Sequence, residues 1–414
     1  MSLRNISASI GRKIAVAVKG SRSRQTLDKP RDFQSLATSA TAVQSLATSA
    51  TNSVTAVQSL ATSATIAATT VQSLATSATA LILLTVLCNQ GFAQDRVYPK
   101  RDAMASGNIA EITPTSVKIT VRSKDQTYDM ADVRKISFDG EPSSLDRVRE
   151  STLLGQYEQA LDEVKKISTD AIKNPLIKQD IDFYRYYCTG QLGLAGKADK
   201  TTAIKGLLAI ASANPRTHHL YELSELLGQL AMAVGQPDQA LRYFNVLLSA
   251  SSPDIKASGV YRLGLVELAQ AKVEEAKVRF QQLAGATSAS PEMGRLKSLA
   301  EVGLAVSEQM LGNTEQALQK LDSMVQQYDS TDQALFARIN NAKGASYAAM
   351  EQTNQALLSY LQTDLLFFTD AEAHAEALYH LTKLWPQAGQ PARGADARER
   401  LTTQYPSSPW ANKE

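Results

Sequence analysis

Three segments of this sequence repeat one logic: Gly155-Gln156-Tyr157-Glu158-Gln159-Ala160-Leu161, Gly235-Gln236-Pro237-Asp238-Gln239-Ala240-Leu241 and Gly312-Asn313-Thr314-Glu315-Gln316-Ala317-Leu318. In each, the glycine supplies the left-handed residue that ends one helix, polar or proline residues start the next, and the alanine falls where two helices approach closely. With Gly196, Ala271, Glu351 and Gly389 as equivalent positions, the turn markers are spaced 41, 39, 36, 41, 39 and 38 residues apart, counting from Gly155. This is the period of a helical-hairpin array. Each pair buries one face on its own partner and another on the neighbouring pair, and about seven pairs exceed the three or so that such an array needs.

The residues around these turns resemble the tetratricopeptide repeat (TPR). In that family helix A carries a Leu-Gly pair and later an aromatic residue, and helix B carries an alanine with an aromatic residue four positions on. Leu227-Gly228 with Ala240 and Phe244, and Leu263-Gly264 with Ala276 and Phe280, match best. Gly344 with Tyr347, Ala356 and Tyr360 follows, Leu304-Ala305 with Ala317 and Leu321 is fair, and Leu381 with Leu401 and Pro406 departs further, since Gly394 stands in place of the helix-B alanine. The first pair, with Ala160, lacks the Leu-Gly signature, and the second, Pro175 to Pro215, keeps only helical periodicity. The resemblance covers roughly 270 residues. It implies a mainly α protein: a TPR-like right-handed α-solenoid of about seven helical hairpins over 141–414, with a concave face lined by A helices. Spacings beyond the usual TPR length imply extended helices or turns.

Ahead of the array, residues 95–140 read as a small antiparallel β module. Val117, Ile119 and Val121 alternate with Lys118, Thr120 and Arg122, the period-two signature of a strand with one apolar face. Four short strands are expected, at Gly107 to Thr113, Ser116 to Ser123, Tyr128 to Met130 and Arg134 to Phe138. Thr113-Pro114-Thr115 is the expected first turn and Ser123-Lys124-Asp125-Gln126 the next. The module fits either a cap over the first apolar face of the solenoid or a small SH3-like or Sm-like recognition barrel. Lys118, Arg122, Lys124, Arg134 and Lys135 are expected to form a solvated face.

Residues 1–93 differ sharply in composition. No charged side chain occurs from Phe33 to Gln94, and Gln-Ser-Leu-Ala-Thr-Ser-Ala-Thr occurs four times, starting at Gln34, Gln44, Gln58 and Gln72. Such Ser/Thr/Ala content cannot build a packed core alone. The apolar run Ala80 to Cys88 has the length of a signal-peptide core rather than of a membrane-spanning helix, and Gly91-Phe92-Ala93 places small residues for cleavage after Ala93. Export to the periplasm or cell envelope is the expectation; the alternatives are an uncleaved anchor over Val71 to Cys88, a lipobox at Cys88, and a leader retained as the stalk of a surface component. Arg31, the last basic residue, lies unusually far from the apolar core, consistent with expansion of the leader by duplication or with a start downstream of Met1.

Charge follows the same division. Residues 1–93 hold 8 Lys/Arg and 2 Asp/Glu of the chain's 43 and 41, leaving 35 against 39 for 94–414, a net of −4. A mildly acidic body without aromatic platforms beside basic runs gives no reason to expect nucleic-acid binding. P-loop, G-x-G-x-x-G, G-x-S-x-G, H-E-x-x-H and paired C-x-x-C patterns are absent, so no catalytic residues, cofactor or metal ligands are expected. His218-His219 are neighbours, which on a helix point in different directions and cannot chelate one ion from one face, so a helix-entry role is expected for them, and His374 and His380 miss the spacing that brings ligands together. Phe183, Tyr184, Tyr186 and Tyr187 fit core packing, with an exposed tyrosine clamp for carbohydrate or protein as the sharper alternative. Cys188 lies on the same stripe and is expected to be inert.

The TPR resemblance implies that the ligand-facing positions of helix A are Glu222, Glu225 and Gln229, then Tyr261 and Leu265, then Arg338 and Asn341, and finally Glu376, Tyr379 and Lys383. Some TPR domains clamp a C-terminal carboxylate with Lys and Asn residues from several adjacent repeats; only Arg338 with Asn341 hints at this. A non-enzymatic scaffold for a protein or peptide partner is the reading that follows.

Overall fold

The computed structural model describes residues 94–287 and 290–413; the expectations for the leader, including cleavage after Ala93, lie outside them. The chain begins with five strands, β1 (Asp95–Pro99), β2 (Ala105–Ile112), β3 (Ser116–Val121), β4 (Lys124–Asp129) and β5 (Val133–Ser137). They form one antiparallel sheet in the order β4-β3-β2-β1-β5. There are thus five strands where four were expected. β1 lacks a clean alternation, burying only Val97 fully, and ends at Pro99 beside a register shift, where a missing N–H costs the ladder least. The second turn is also tighter than expected. Arg122 and Ser123, both at positive φ (48° and 65°), form a two-residue loop without the usual Asn-Gly, so Lys124 already belongs to β4.

Val97, Val117, Ile119 and Ile136 from the sheet and Phe138 just after it share one core with Leu145 and Val148 of α1 (Ser143–Leu153) and Ile177 and Ile181 of α3 (Pro175–Leu194). Two of the five basic residues expected in a solvated face instead tie the sheet to α1. Arg134 pairs with Glu150 (2.5 Å), and the buried Lys135 ammonium lies 2.6 Å from Asp146 and 2.7 Å from Glu150.

The rest is helical: α2 (Tyr157–Lys165), α4 (Lys200–Ala213), α5 (Leu220–Ala233), α6 (Pro237–Leu247), α7 (Pro253–Ala269), α8 (Val273–Ala284), α9 (Pro291–Met310), α10 (Thr314–Gln327), α11 (Gln333–Ala349), α12 (Thr353–Leu366), α13 (Ala371–Gln387) and α14 (Pro391–Gln404) complete seven antiparallel pairs. All seven turn markers, including Ala271 (φ 58°) and Glu351 (φ 61°), have left-handed backbone. At each, the next residue's N–H donates to the carbonyl five positions back, from Gln156 to Ser151 through Gln390 to Trp385, at 2.8–2.9 Å. These are Schellman closures, which satisfy carbonyls the ending helix leaves unpaired. Helix starts are equally explicit: Pro occupies the first turn of α3, α6, α7, α9 and α14, and Asn174, Asp199, Ser290, Asp332 and Asp370 accept backbone N–H bonds as N-caps.

Within the pairs, the TPR signature residues pack on one another. The Phe244 ring lies on Gly228, the Phe280 ring on Gly264 and the Tyr360 ring on Gly344, so close that a Cβ at Gly264 or Gly344 would fall 2.6 Å from the ring. The fold is therefore a TPR-like α-solenoid with an antiparallel sheet at its N-terminal side that shares the core of the first helices. It also closes on itself: Gly196, in the second pair's turn, lies against the Gln404 carbonyl, and Lys200 Nζ is 2.5 Å from Ser407 Oγ.

Candidate functional site

Closure of the array leaves an open groove of about 770 Å³. Gln191 of α3, Gln229 of α5, Tyr261 of α7, Arg295 of α9, Arg338 of α11 and Glu372 of α13 line it, so helix A of six pairs faces inward, and Tyr405 and Trp410 from the C-terminal segment complete the wall. Of the ten residues assigned to partner contact, Gln229, Tyr261, Leu265 and Arg338 line this groove. Tyr261 is nearly buried, its ring 6.1 Å from Phe280. Arg338 is tied to Asp370 (3.0 Å) and Glu372 (3.2 Å); burial works against its charge, but these carboxylates outweigh it and raise its pKa further.

The other six are placed elsewhere. Asn341 is buried and donates to the Ala373 carbonyl (2.8 Å) and Glu376 (2.9 Å), so its amide holds α11 to α13 and is not available as a carboxylate clamp. Burial raises the Glu376 pKa despite that bond. Tyr379 packs in the last hydrophobic cluster with its ring 5.4 Å from Trp410, and the Lys383 ammonium lies 5.7 Å from the Tyr379 ring. Glu225 accepts from Ser258 (2.9 Å) and Arg262 (3.3 Å). With Glu222 it lines a second cavity of about 500 Å³ between α5 and the β4–β5 connection.

That second cavity exposes a polar cluster that sequence reasoning missed. Residues 217–219 form a turn ahead of α5 rather than part of a helix, so His218 and His219 can face the same way. Their Nε2 atoms lie 3.2 and 3.1 Å from one oxygen, Oδ1 of Asp180 in α3. His219 Nδ1 is 2.9 Å from Glu222, and the second Asp180 oxygen accepts from Arg149 of α1 (2.8 Å), whose guanidinium is also held by both oxygens of Glu141 (2.7 and 2.8 Å). Burial opposes the Asp180 charge, but hydrogen bonds from both histidines and the Arg149 charge hold its pKa well below the usual range. Burial also opposes a charged His219, yet bonds to Asp180 and Glu222 push its pKa up to about 9, while burial and the charge of its neighbour lower that of His218. The spacing of Asp180 from His219, 39 residues, is one repeat period and was the available signal.

The tyrosine cluster belongs to the core. Tyr184 and Tyr187 are half-buried against Phe183 (both 5.2 Å), and Phe183 stacks on His219 at 3.6 Å, so the two tyrosines are not exposed together as the clamp alternative requires. Cys188 is buried and its thiol is pushed up to about 11 by desolvation, as expected of an unreactive thiol.

No family model matches the sequence, and no curated protein matches it. Among solved structures it is similar to a tetratricopeptide repeat protein from Parabacteroides merdae ATCC 43184 (16% identity, 63% of this chain and 91% of that one, TM-score 0.45). It is also similar to a Rap protein complexed with Competence and Sporulation Factor (14%, 65% and 76%, TM-score 0.46) and to PilW, a type IV pilus biogenesis factor (16%, 58% and 98%, TM-score 0.35). With identities this low and each of these TM-scores under 0.5, the class of this fold rests on its own packing.

Proposed function

We propose that the chain is an exported, non-enzymatic scaffold that binds a protein or peptide partner in the cell envelope of a bacterium. The observation that supports this most is the groove to which six successive A helices each give a side chain of different chemistry. A pocket built from small contributions of many repeats suits an extended chain, since each repeat can read one or two residues of it. In this reading Gln229, Tyr261, Leu265 and Arg338 contact the partner, and the sheet caps the first pairs. The signal-like run ending at Ala93 motivates the envelope assignment, and among the described residues no helix is long and apolar enough to cross a membrane.

Site-specific photocrosslinking tests the partner claim. A photoreactive residue at Gln229 or Leu265 should give one discrete adduct in the envelope fraction, and one at Val278, which is 61% exposed outside the groove, should give none. Equal labelling at all three positions, or labelling at Val278 alone, overturns the groove reading. The mass of the mature protein tests the leader: a chain starting at Gln94 supports export with cleavage, whereas retention of residues 33–93 favours the stalk alternative.

A further inference from the structure

We propose that Asp180, His218 and His219 form a binding site for one divalent transition-metal ion, zinc(II) by its donor set. Three observations carry this, and none depends on the scaffold reading above.

The first is geometry. The two imidazole Nε2 atoms converge on Asp180 Oδ1 at 3.2 and 3.1 Å, and the three donor atoms all lie within 4.8 Å of one another. Zinc in a tetrahedral site holds nitrogen and oxygen ligands at about 2.0–2.1 Å, which puts neighbouring ligand atoms about 3.3 Å apart. The two spacings to Asp180 Oδ1 are within a few tenths of an ångström of that, and the third, between the two imidazole nitrogens, is within 4.8 Å, so an ion needs only a modest closing of the histidines around it.

The second is the surrounding shell. Glu222 lies 2.9 Å from His219 Nδ1, the carboxylate-to-imidazole arrangement that orients a metal-bound histidine and raises its basicity. Arg149 occupies Asp180 Oδ2 and leaves Oδ1 as the single ligating oxygen. Phe183, stacked at 3.6 Å and tilted by only 5°, fixes the His219 ring. With neutral imidazoles, Arg149 against the buried Glu141 and Asp180 leaves one uncompensated buried negative charge, Glu222 being exposed, and a divalent cation at Asp180 offsets it.

The third is access. The three ligand side chains are only 2%, 5% and 6% exposed, yet all three residues line the cavity of about 500 Å³. That cavity gives the ion an entry route and leaves room for a water or a ligand carboxylate in the fourth position. Two nitrogens and one carboxylate oxygen suit zinc and related transition ions and are poor for calcium or magnesium, which prefer all-oxygen shells.

The test uses the full chain, stripped with a chelator and titrated with zinc(II) against a chromogenic competitor, and separately with cobalt(II) followed by its visible d–d bands. The wild type should take up one equivalent and show the band intensity of a tetrahedral site. His218→Gln removes a ligand, and Glu222→Gln removes only the outer carboxylate. Glu222→Gln should weaken zinc binding roughly tenfold or more, and His218→Gln should weaken it further. His380→Gln, far from the cluster in sequence, is the control and should bind as the wild type. If His218→Gln fails to fold, Glu222→Gln alone decides, with far-UV circular dichroism confirming its fold. Absence of stoichiometric uptake by the wild type, or uptake that both variants retain unchanged, overturns the site and leaves Asp180, His218 and His219 as a hydrogen-bond network.

Discussion

The Phe280 ring is the most demanding test of the repeat packing, because two neighbouring helices have given up side chains to admit it. A Cβ on Gly264 of α7 would lie 2.6 Å from the ring, and one on Gly303 of α9 2.7 Å from its opposite edge, while Phe280 itself is 0% exposed. The ring therefore cannot move aside when either glycine gains a methyl. Gly264→Ala should gain about 1 kcal/mol of helix propensity and lose about 1–3 kcal/mol to overpacking, a net destabilisation of about 1 kcal/mol. Phe280→Ala should cost about 3–5 kcal/mol through lost burial and the void it leaves. In the double variant the clash has gone, the new methyl fills part of the void and the propensity gain is recovered. The pair should then be less destabilised than the sum of the single variants by about 2–3 kcal/mol, a coupling of the size seen for residues sharing a cavity. Urea unfolding followed by far-UV circular dichroism gives each term from the midpoint and slope. Additivity to within about 0.5 kcal/mol, or a Gly264→Ala variant more stable than the parent, would refute the close packing of ring and glycine.

Other expectations follow from single sites. His380 stacks on Tyr360 at 4.7 Å, and burial, aided by the Lys413 charge, lowers its pKa from 6.5 to about 4. A histidine held neutral contributes stability above pH 6.5 and loses it as pH falls toward 4, so the C-terminal pairs should lose about 2–3 kcal/mol over that window. His380→Phe should flatten that part of a pH series of urea midpoints; an unchanged slope counts against the assignment. Arg149→Met leaves Glu141 buried without its cation and Asp180 with the two histidines alone, and should cost about 3–5 kcal/mol by the same unfolding measurement. Ala at Gly196 or Gly235 carries the same left-handed strain, of about 1–2 kcal/mol, but only at Gly196 does a Cβ meet another segment, the Gln404 carbonyl. Gly196→Ala should therefore be the worse variant by about 1–3 kcal/mol and should raise amide exchange in residues 404–408, which Gly235→Ala leaves alone.

What was legible in the sequence is what a period and a turn can carry. The left-handed position was readable even at Ala271 and Glu351, where no glycine marks it, because its phase is fixed by the turns on either side. Strand β1 and the Arg122-Ser123 turn were not, since their conformations are imposed by pairing partners and contradict local residue preference. His218 and His219 do stand at a helix entry, as expected, but chelation was excluded on helical geometry, and the turn before α5 lets both rings face Asp180. A helical array converts distant contacts into contacts one period apart. Asp180 with His219 (39 residues), Glu225 with Arg262 (37), Asp364 with Arg400 (36) and Asn341 with Glu376 (35) all obey this. Aligning the repeats on their turn markers therefore sets each acid beside its partner by spacing alone. The Lys200–Ser407 contact, 207 residues apart, follows no such rule. It depends on the summed rotation of every pair between them, so small packing choices such as Phe280 between Gly264 and Gly303 decide whether the groove closes at all.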